Sequence, residues 1–124
     1  METQINRTIL VVEDEPFIRM SAVASLEDAG FWVLEAHNGL DALDILSRHP
    51  EVTIMVTDVR MPGPMDGLAL VARVQLDHPA IRSIVVSGSA TAAQAGHAGA
   101  LGFVAKPYLQ QTMIQAVHDT VLRH

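Results

Sequence analysis

The sequence predicts an α/β fold: a doubly wound (βα)5 three-layer sandwich built on a five-stranded parallel sheet. Five short apolar runs rich in β-branched residues alternate with five longer segments whose apolar residues recur at helical spacing. The short runs are nearly continuous in their apolar character, as expected of parallel strands covered on both faces. A third observation is an internal echo. His49-Pro50 precedes Asp58, and His78-Pro79 precedes Ser87, with the same nine residues from histidine to polar residue. Two successive units therefore spend equal length on turn plus strand, which places their terminal polar residues at one edge of the sheet.

The elements follow in order. Thr8–Val12 (TILVV) is a strand, too short for a helix. It breaks at Glu13-Asp14-Glu15-Pro16, where proline suits the first turn of a helix and acids complement its dipole. Phe17, Met20, Ser21, Ala24 and Leu26 form the expected inner stripe of that helix, which Gly30 closes. Phe31–Ala36 is the second strand. Asn38-Gly39 turns the chain into a second helix with Leu40, Leu43, Ile45 and Leu46 inward, ending at His49-Pro50 because proline disfavours the α region for the residue before it.

Thr53–Thr57 is the third strand, and it runs straight into Asp58. After a Pro/Gly-rich turn, Asp66 or Gly67 opens a third helix with Leu68, Leu70, Val71, Val74 and Leu76 buried; Asp66 is its cap. Ile81–Val86 is the fourth strand, ending in Ser87-Gly88. A weak helix over Ala90–Ala98 contains Gly96 and is flanked by Gly99. Gly102–Ala105 is the fifth strand, ending at Lys106-Pro107. The last helix runs from Tyr108 to Leu122, with Leu109, Met113, Ile114, Val117 and Val121 on one face.

The bulk numbers bound the reading. At 124 residues, 49% apolar and 18% charged, the chain is expected to be a single globular domain spanning residues 1–124. The net charge of −6 argues against direct DNA binding through the phosphate backbone. With no cysteine, neither a disulfide framework nor a thiolate metal site exists. The N-terminal METQINRT lacks an apolar leader core, and no apolar run approaches the roughly 18 residues of a membrane span. A cytoplasmic chain with no membrane attachment is expected.

Chemistry concentrates at the strand ends. Glu13-Asp14 follow the first strand, Asp58 ends the third, Ser87 the fourth and Lys106 the fifth. In a parallel sheet these all lie on one edge, where open α/β sheets bind ligands. Three carboxylates so close disfavour one another's ionisation unless a cation relieves them. The all-oxygen set suits a hard dication, Mg²⁺ before Ca²⁺, because so few protein ligands leave water to complete the shell. A cation, a lysine and a hydroxyl around one nucleophilic carboxylate are the parts of a phosphoryl-transfer site.

These residues resemble the receiver domain of the two-component response-regulator family over essentially the whole chain. The family pattern is an acidic pair after strand one, D-x-x-M-P-G-x-D-G after strand three, Ser/Thr plus a small residue after strand four, and Lys-Pro after strand five. Here it reads Glu13-Asp14, Asp58-Val59-Arg60-Met61-Pro62-Gly63, Ser87-Gly88 and Lys106-Pro107. The resemblance implies a flavodoxin-like strand order of 2-1-3-4-5. It further implies that Asp58 accepts a phosphoryl group from a phosphohistidine on a sensor histidine kinase or phosphotransfer protein. Mg²⁺ would be held by Asp14, Asp58, the backbone carbonyl of Arg60 and, through water, Glu13. Ser87 and Lys106 would contact the phosphoryl oxygens, and Ser87 with Phe103 would form the switch.

A surface of the fourth helix, fifth strand and fifth helix would then change for an unidentified downstream partner. Such a domain is a signalling module that catalyses its own phosphorylation and slow dephosphorylation. It is expected to act as a monomer or a weak phosphorylation-dependent dimer. With no effector segment after Leu122, the chain reads as a stand-alone receiver or as a domain of a larger protein. Three departures stand out: Glu13 where the family more often has Asp, one extra residue in the Met61–Gly67 turn, and phenylalanine at 103 in place of a tyrosine. The missing hydroxyl leads to the expectation that the Phe103 ring stays inward more of the time.

Two other functions compete. A Mg²⁺-dependent phosphatase with an aspartate nucleophile would usually carry a second aspartate at position 60, where this chain has arginine. A flavodoxin-like FMN binder would want a hydroxyl- and glycine-rich phosphate loop where Glu13-Asp14-Glu15 would repel phosphate. The six histidines show no metal-ligand spacing, and the methionines read as packing or turn residues.

Overall fold

The computed structural model describes residues 7–122; the leader reading on residues 1–6 and His124 fall outside them. The chain runs β1 (Thr8–Val12), α1 (Pro16–Asp28), β2 (Trp32–Ala36), α2 (Gly39–Arg48), β3 (Val52–Asp58), α3 (Gly67–Asp77), β4 (Arg82–Ser87), α4 (Ala92–Ala98), β5 (Gly102–Ala105) and α5 (Gln110–Leu122). All neighbouring strands are parallel, in the order β2-β1-β3-β4-β5. This is the expected doubly wound three-layer fold.

Alternation along each strand builds two cores. Ile9 and Val11 of β1 join Ile54, Val56, Ile84 and Val86 on the face covered by Ala22, Val23 and Leu26 of α1 and Met113 and Val117 of α5. Leu10 and Val12 join Met55 and Val85 on the opposite face, beneath Ala42 and Leu46 of α2, Leu70, Val71 and Val74 of α3, and Ala95 of α4. Both faces are covered, which is why the strands read as continuous apolar runs.

The helix starts follow local chemistry. Glu15 caps α1 by accepting from the Phe17 N–H, Asn38 caps α2 by accepting from Asp41, and Asp66 caps α3 by accepting from Ala69. Thr91 and Gln94 form a reciprocal capping box on α4. That box moves the start of α4 to Ala92, two residues later than predicted. Likewise α5 begins at Gln110 and not at Tyr108.

Several predicted inner faces are wrong. Phe17 and Met20 on α1 are 80% and 60% exposed, while Ala22, Val23 and Leu26 make the contact with the sheet. Leu40, Leu76 and Leu109 are also exposed. Each is a large apolar side chain at the end or flank of a helix that hydropathy alone points inward but that the rotation of the helix against the sheet turns outward. Gly30 is left-handed, as a helix stop requires, although the C-cap itself is Ala29.

Candidate functional site

The carboxyl edge of the sheet gathers the predicted residues. β1 ends at Val12, so Glu13 and Asp14 emerge beside the end of β3, and Glu13 is still tied to β2 by its N–H donating to the Ala36 carbonyl at 3.1 Å. Glu13 is buried, Asp58 is 9% exposed and Asp14 is exposed. One carboxylate oxygen from each of the three lies within 4.8 Å of the others.

Lys106 reaches across from the end of β5. Its Nζ lies 3.1 Å from Asp58 Oδ2 and 3.6 Å from Glu13 Oε1. The other Asp58 oxygen, Oδ1, accepts from the Val59 N–H at 2.8 Å. Both oxygens of Asp58 are therefore oriented. Glu13 Oε2 accepts from the Glu15 N–H at 3.1 Å.

The electrostatics match this crowding. Burial raises the Glu13 pKa, and the negative charges of Asp58 and Asp14 push it further, against the Glu15 N–H bond and Lys106. For Lys106, burial pulls downward, but its bond to Asp58 and the attraction of Asp58 and Glu13 outweigh it, and the net direction is up. Burial likewise raises Tyr108, helped by Glu13 and Asp58 and opposed by Lys106. An all-oxygen cluster carrying more negative charge than one lysine can balance fits a hard divalent cation.

Ser87 is buried at the end of β4. Its Oγ accepts from the N–H groups of Ser89, at 3.0 Å, and Ala90, at 2.9 Å. With Asp58, Arg60, Gly88, Ser89 and Lys106 it lines an open pocket of about 480 Å³. The Lys106 N–H donates to the Ser87 carbonyl at 3.0 Å, joining the ends of β4 and β5. Arg60 is exposed at the pocket rim. Phe103, on β5, is half-buried and packs against the cluster that contains Val85 and Ala95. It lies three positions before Lys106 along the chain.

The long turn after Asp58 is anchored at both ends. Met61 and Met65 pack against the core, while Pro62, Gly63 and Pro64 stand exposed between them, with Gly63 left-handed. The extra residue is thus accommodated outward. Gly67 returns the chain to the site, its N–H donating to the Val59 carbonyl at 2.8 Å. A methyl group on Gly67 would overlap the Asp58 carbonyl oxygen and sit 2.8 Å from the Asp58 carbonyl carbon and from Val59 Cα. Only glycine fits that approach.

Sequence reasoning passed over Arg19, Glu35, Ser89 and Tyr108, which all border the site. Ser89 and Tyr108 sit within two residues of predicted site residues and could have been found by proximity. Arg19 and Glu35 lie on separate elements, and no local pattern marks them.

The response regulator receiver domain family matches residues 9–118. The sensor kinase CckA of Brucella abortus is 40% identical over 116 residues, covering 90% of this chain but only 12% of that protein. A chemotaxis protein CheY homolog of Campylobacter jejuni is 32% identical over 119 residues, covering 91% of each. A response regulator protein from Burkholderia pseudomallei, solved with a phosphorylated aspartic acid, a calcium ion and citrate, superposes with a TM-score of 0.79 at 28% identity. That match covers 90% of this chain and 66% of the other. Receiver domains are signalling domains that work with histidine kinases or phosphotransfer proteins, and among the described residues no helix is long and apolar enough to cross a membrane. The chain belongs to the response regulator receiver domain family.

Proposed function

We propose that Asp58 is the phosphoryl acceptor of this receiver and that phosphorylation there controls its partner surface. The observation carrying this reading is the state of the Asp58 carboxylate: nearly buried, gripped at 3.1 Å by Lys106, and one of three acids within 4.8 Å. One Asp58 oxygen attacks the phosphorus of a partner phosphohistidine. An O–P bond forms as the P–N bond breaks, and the imidazole departs with that electron pair, neutral when its other nitrogen carries the proton. The product is a mixed carboxylic–phosphoric anhydride, which water slowly hydrolyses back to aspartate and phosphate.

The residues proposed to hold Mg²⁺ are Asp14, Asp58, the carbonyl oxygen of Arg60 and, through water, Glu13. Bound Mg²⁺ would supply positive charge to the carboxylate cluster and the transferring phosphoryl oxygens. Lys106 adds a second positive charge from the chain itself. Ser87 donates its hydroxyl to the phosphoryl group, giving up its place in the β4–α4 loop, and Phe103 repacks in response. The changed surface is that of α4, β5 and α5. Support comes from α4 itself, which has seven residues and only Ala95 fully buried, as befits a movable element.

The test is phosphotransfer from histidine kinases or phosphotransfer proteins to the wild type and to Asp58→Ala, with and without Mg²⁺. Labelling is expected only with Asp58 present and Mg²⁺ supplied. Labelling that survives Asp58→Ala would overturn the assignment.

A further inference from the structure

We propose that Arg19 is a positioning residue for the acidic pair, clamping the main chain at Glu13 so that Glu13 and Asp14 present their carboxylates toward Asp58. The inference rests on the reading of that cluster as a Mg²⁺ site. Arg19 lies on α1 and is half-buried. Its Nη1 donates to the Glu13 carbonyl at 2.8 Å, and its Nε donates to Glu35 Oε1 at 3.0 Å. Glu35 is on β2, one residue before Ala36, whose carbonyl accepts the Glu13 N–H. The two last residues of β2 therefore hold both polar groups of the Glu13 main chain: the N–H directly, the C=O through a guanidinium.

This placement matters because the β1 pairing with β2 and β3 ends at Val12. Beyond it, the Glu13 N–H still bonds to the Ala36 carbonyl, but no paired residue of the ladder fixes the Glu13 carbonyl or Asp14. Three like charges within 4.8 Å push one another apart, and a free loop would yield by swinging outward. A planar guanidinium can hold a carbonyl and a carboxylate at once in a fixed geometry, which a single ammonium does less well. Glu35 is about half exposed, with 47% of its side chain accessible, so the Arg19–Glu35 pair adds little to global stability. Its effect is local. The guanidinium bonds go to the Glu13 carbonyl and to Glu35, so the side chain acts through the main chain of Glu13.

The experiment compares wild type with Arg19→Met, Arg19→Lys, Glu35→Met and Asp58→Asn on the unphosphorylated chain. Mg²⁺ affinity is measured by titration calorimetry, and amide exchange by NMR in EDTA. Arg19→Met is expected to weaken Mg²⁺ binding about tenfold, as loss of an outer partner of a metal ligand does. Glu35→Met should weaken it in the same direction, and Arg19→Lys should not restore it. In EDTA the Glu13 amide should exchange faster in both Met variants, with the Ile9–Val12 amides unchanged. Mg²⁺ binding and Glu13 exchange unaltered by Arg19→Met would overturn the clamp. So would full recovery in Arg19→Lys, or acceleration spread over all of β1. If wild type and Asp58→Asn both fail to bind Mg²⁺, the metal reading fails, and the exchange data in EDTA still decide the clamp.

Discussion

Glu13→Gln should stabilise the metal-free protein while weakening its hold on Mg²⁺. Glu13 lies within 4.8 Å of oxygens on both Asp14 and Asp58. At an effective dielectric of about 20, each such pair repels by at least about 3 kcal/mol, so the two together cost about 7 kcal/mol. Against this, Lys106 at 3.6 Å returns about 5 kcal/mol. The net burden of the Glu13 charge is therefore about 2 kcal/mol, and salt screens the share due to exposed Asp14. Glutamine keeps a carbonyl oxygen for the Glu15 N–H, so that bond survives in weaker form. A gain of about 1–2 kcal/mol in EDTA is expected, or about 4 °C in melting temperature per kcal/mol for a domain of this size. Thermal and urea unfolding in EDTA, paired with Mg²⁺ titration, measure both sides. A Glu13→Gln protein less stable than wild type in EDTA would show that the cluster is not held under like-charge repulsion, and the electrostatic account of the site would fail.

Three further outcomes follow from the same geometry. Gly67→Ala should destabilise by about 2–4 kcal/mol, combining main-chain overlap at Asp58 with loss of the Val59–Gly67 bond, as read by urea unfolding. Ser87→Ala should cost about 1–2 kcal/mol, because the Ser89 and Ala90 N–H groups lose their acceptor, while Ser87→Thr should retain most of it; unfolding and amide exchange at those residues check this. The last outcome concerns pH. Glu13 titrates above its ordinary value of 4.5, so the folded state holds that proton more tightly than the unfolded one. Its stabilising contribution is present with the proton on and is lost as pH rises through the folded value. In EDTA the stability advantage of Glu13→Gln over wild type should therefore widen as pH rises from 4.5, and NMR titration of the Glu13 carboxyl should show its midpoint falling when Mg²⁺ is added.

Legibility in the sequence divided along a physical line. Asp58, Ser87 and Lys106 were visible because each interrupts a continuous apolar run, and parallel topology then brings all strand ends to one edge. The α3 cap was visible because Asp66 precedes its helix in sequence. By contrast, the buried face of α1 depends on how the helix is rotated against the sheet, which hydropathy did not settle. Phe17 reads as an inner residue from its hydropathy yet lies outside, where with Ile18, Lys106, Pro107 and Tyr108 it borders an open groove beside the site. Arg19 and Glu35 were invisible for a different reason. Their meeting point is a main-chain carbonyl, and no side-chain pattern in the sequence records where a carbonyl points.

Phosphorylation at Asp58, as proposed, is expected to be felt at α4 before any other helix. Ser87 Oγ accepts the Ser89 and Ala90 N–H groups and lies 3.3 Å from Ser89 Oγ, so moving it toward a phosphoryl group on Asp58 would stretch the two N–H bonds while leaving its own O–H free to donate. Those two bonds are worth about 0.5–1.5 kcal/mol each, so the loop must rearrange to recover what is lost when they stretch. That loop leads directly into α4, whose single fully buried residue, Ala95, gives it the least packing to lose. The other route runs sideways. The Lys106 N–H is bonded to the Ser87 carbonyl, and Ser87 pairs with Ala105 in the ladder, so displacement of Ser87 also pulls on the end of β5. Phe103 sits on that strand, packed against the cluster containing Ala95. A group added at Asp58 can favour a new surface only by as much as it prefers the rearranged loop over the present one. The two N–H bonds at Ser87 set the scale of that preference, and it is small enough for one phosphoryl group to meet.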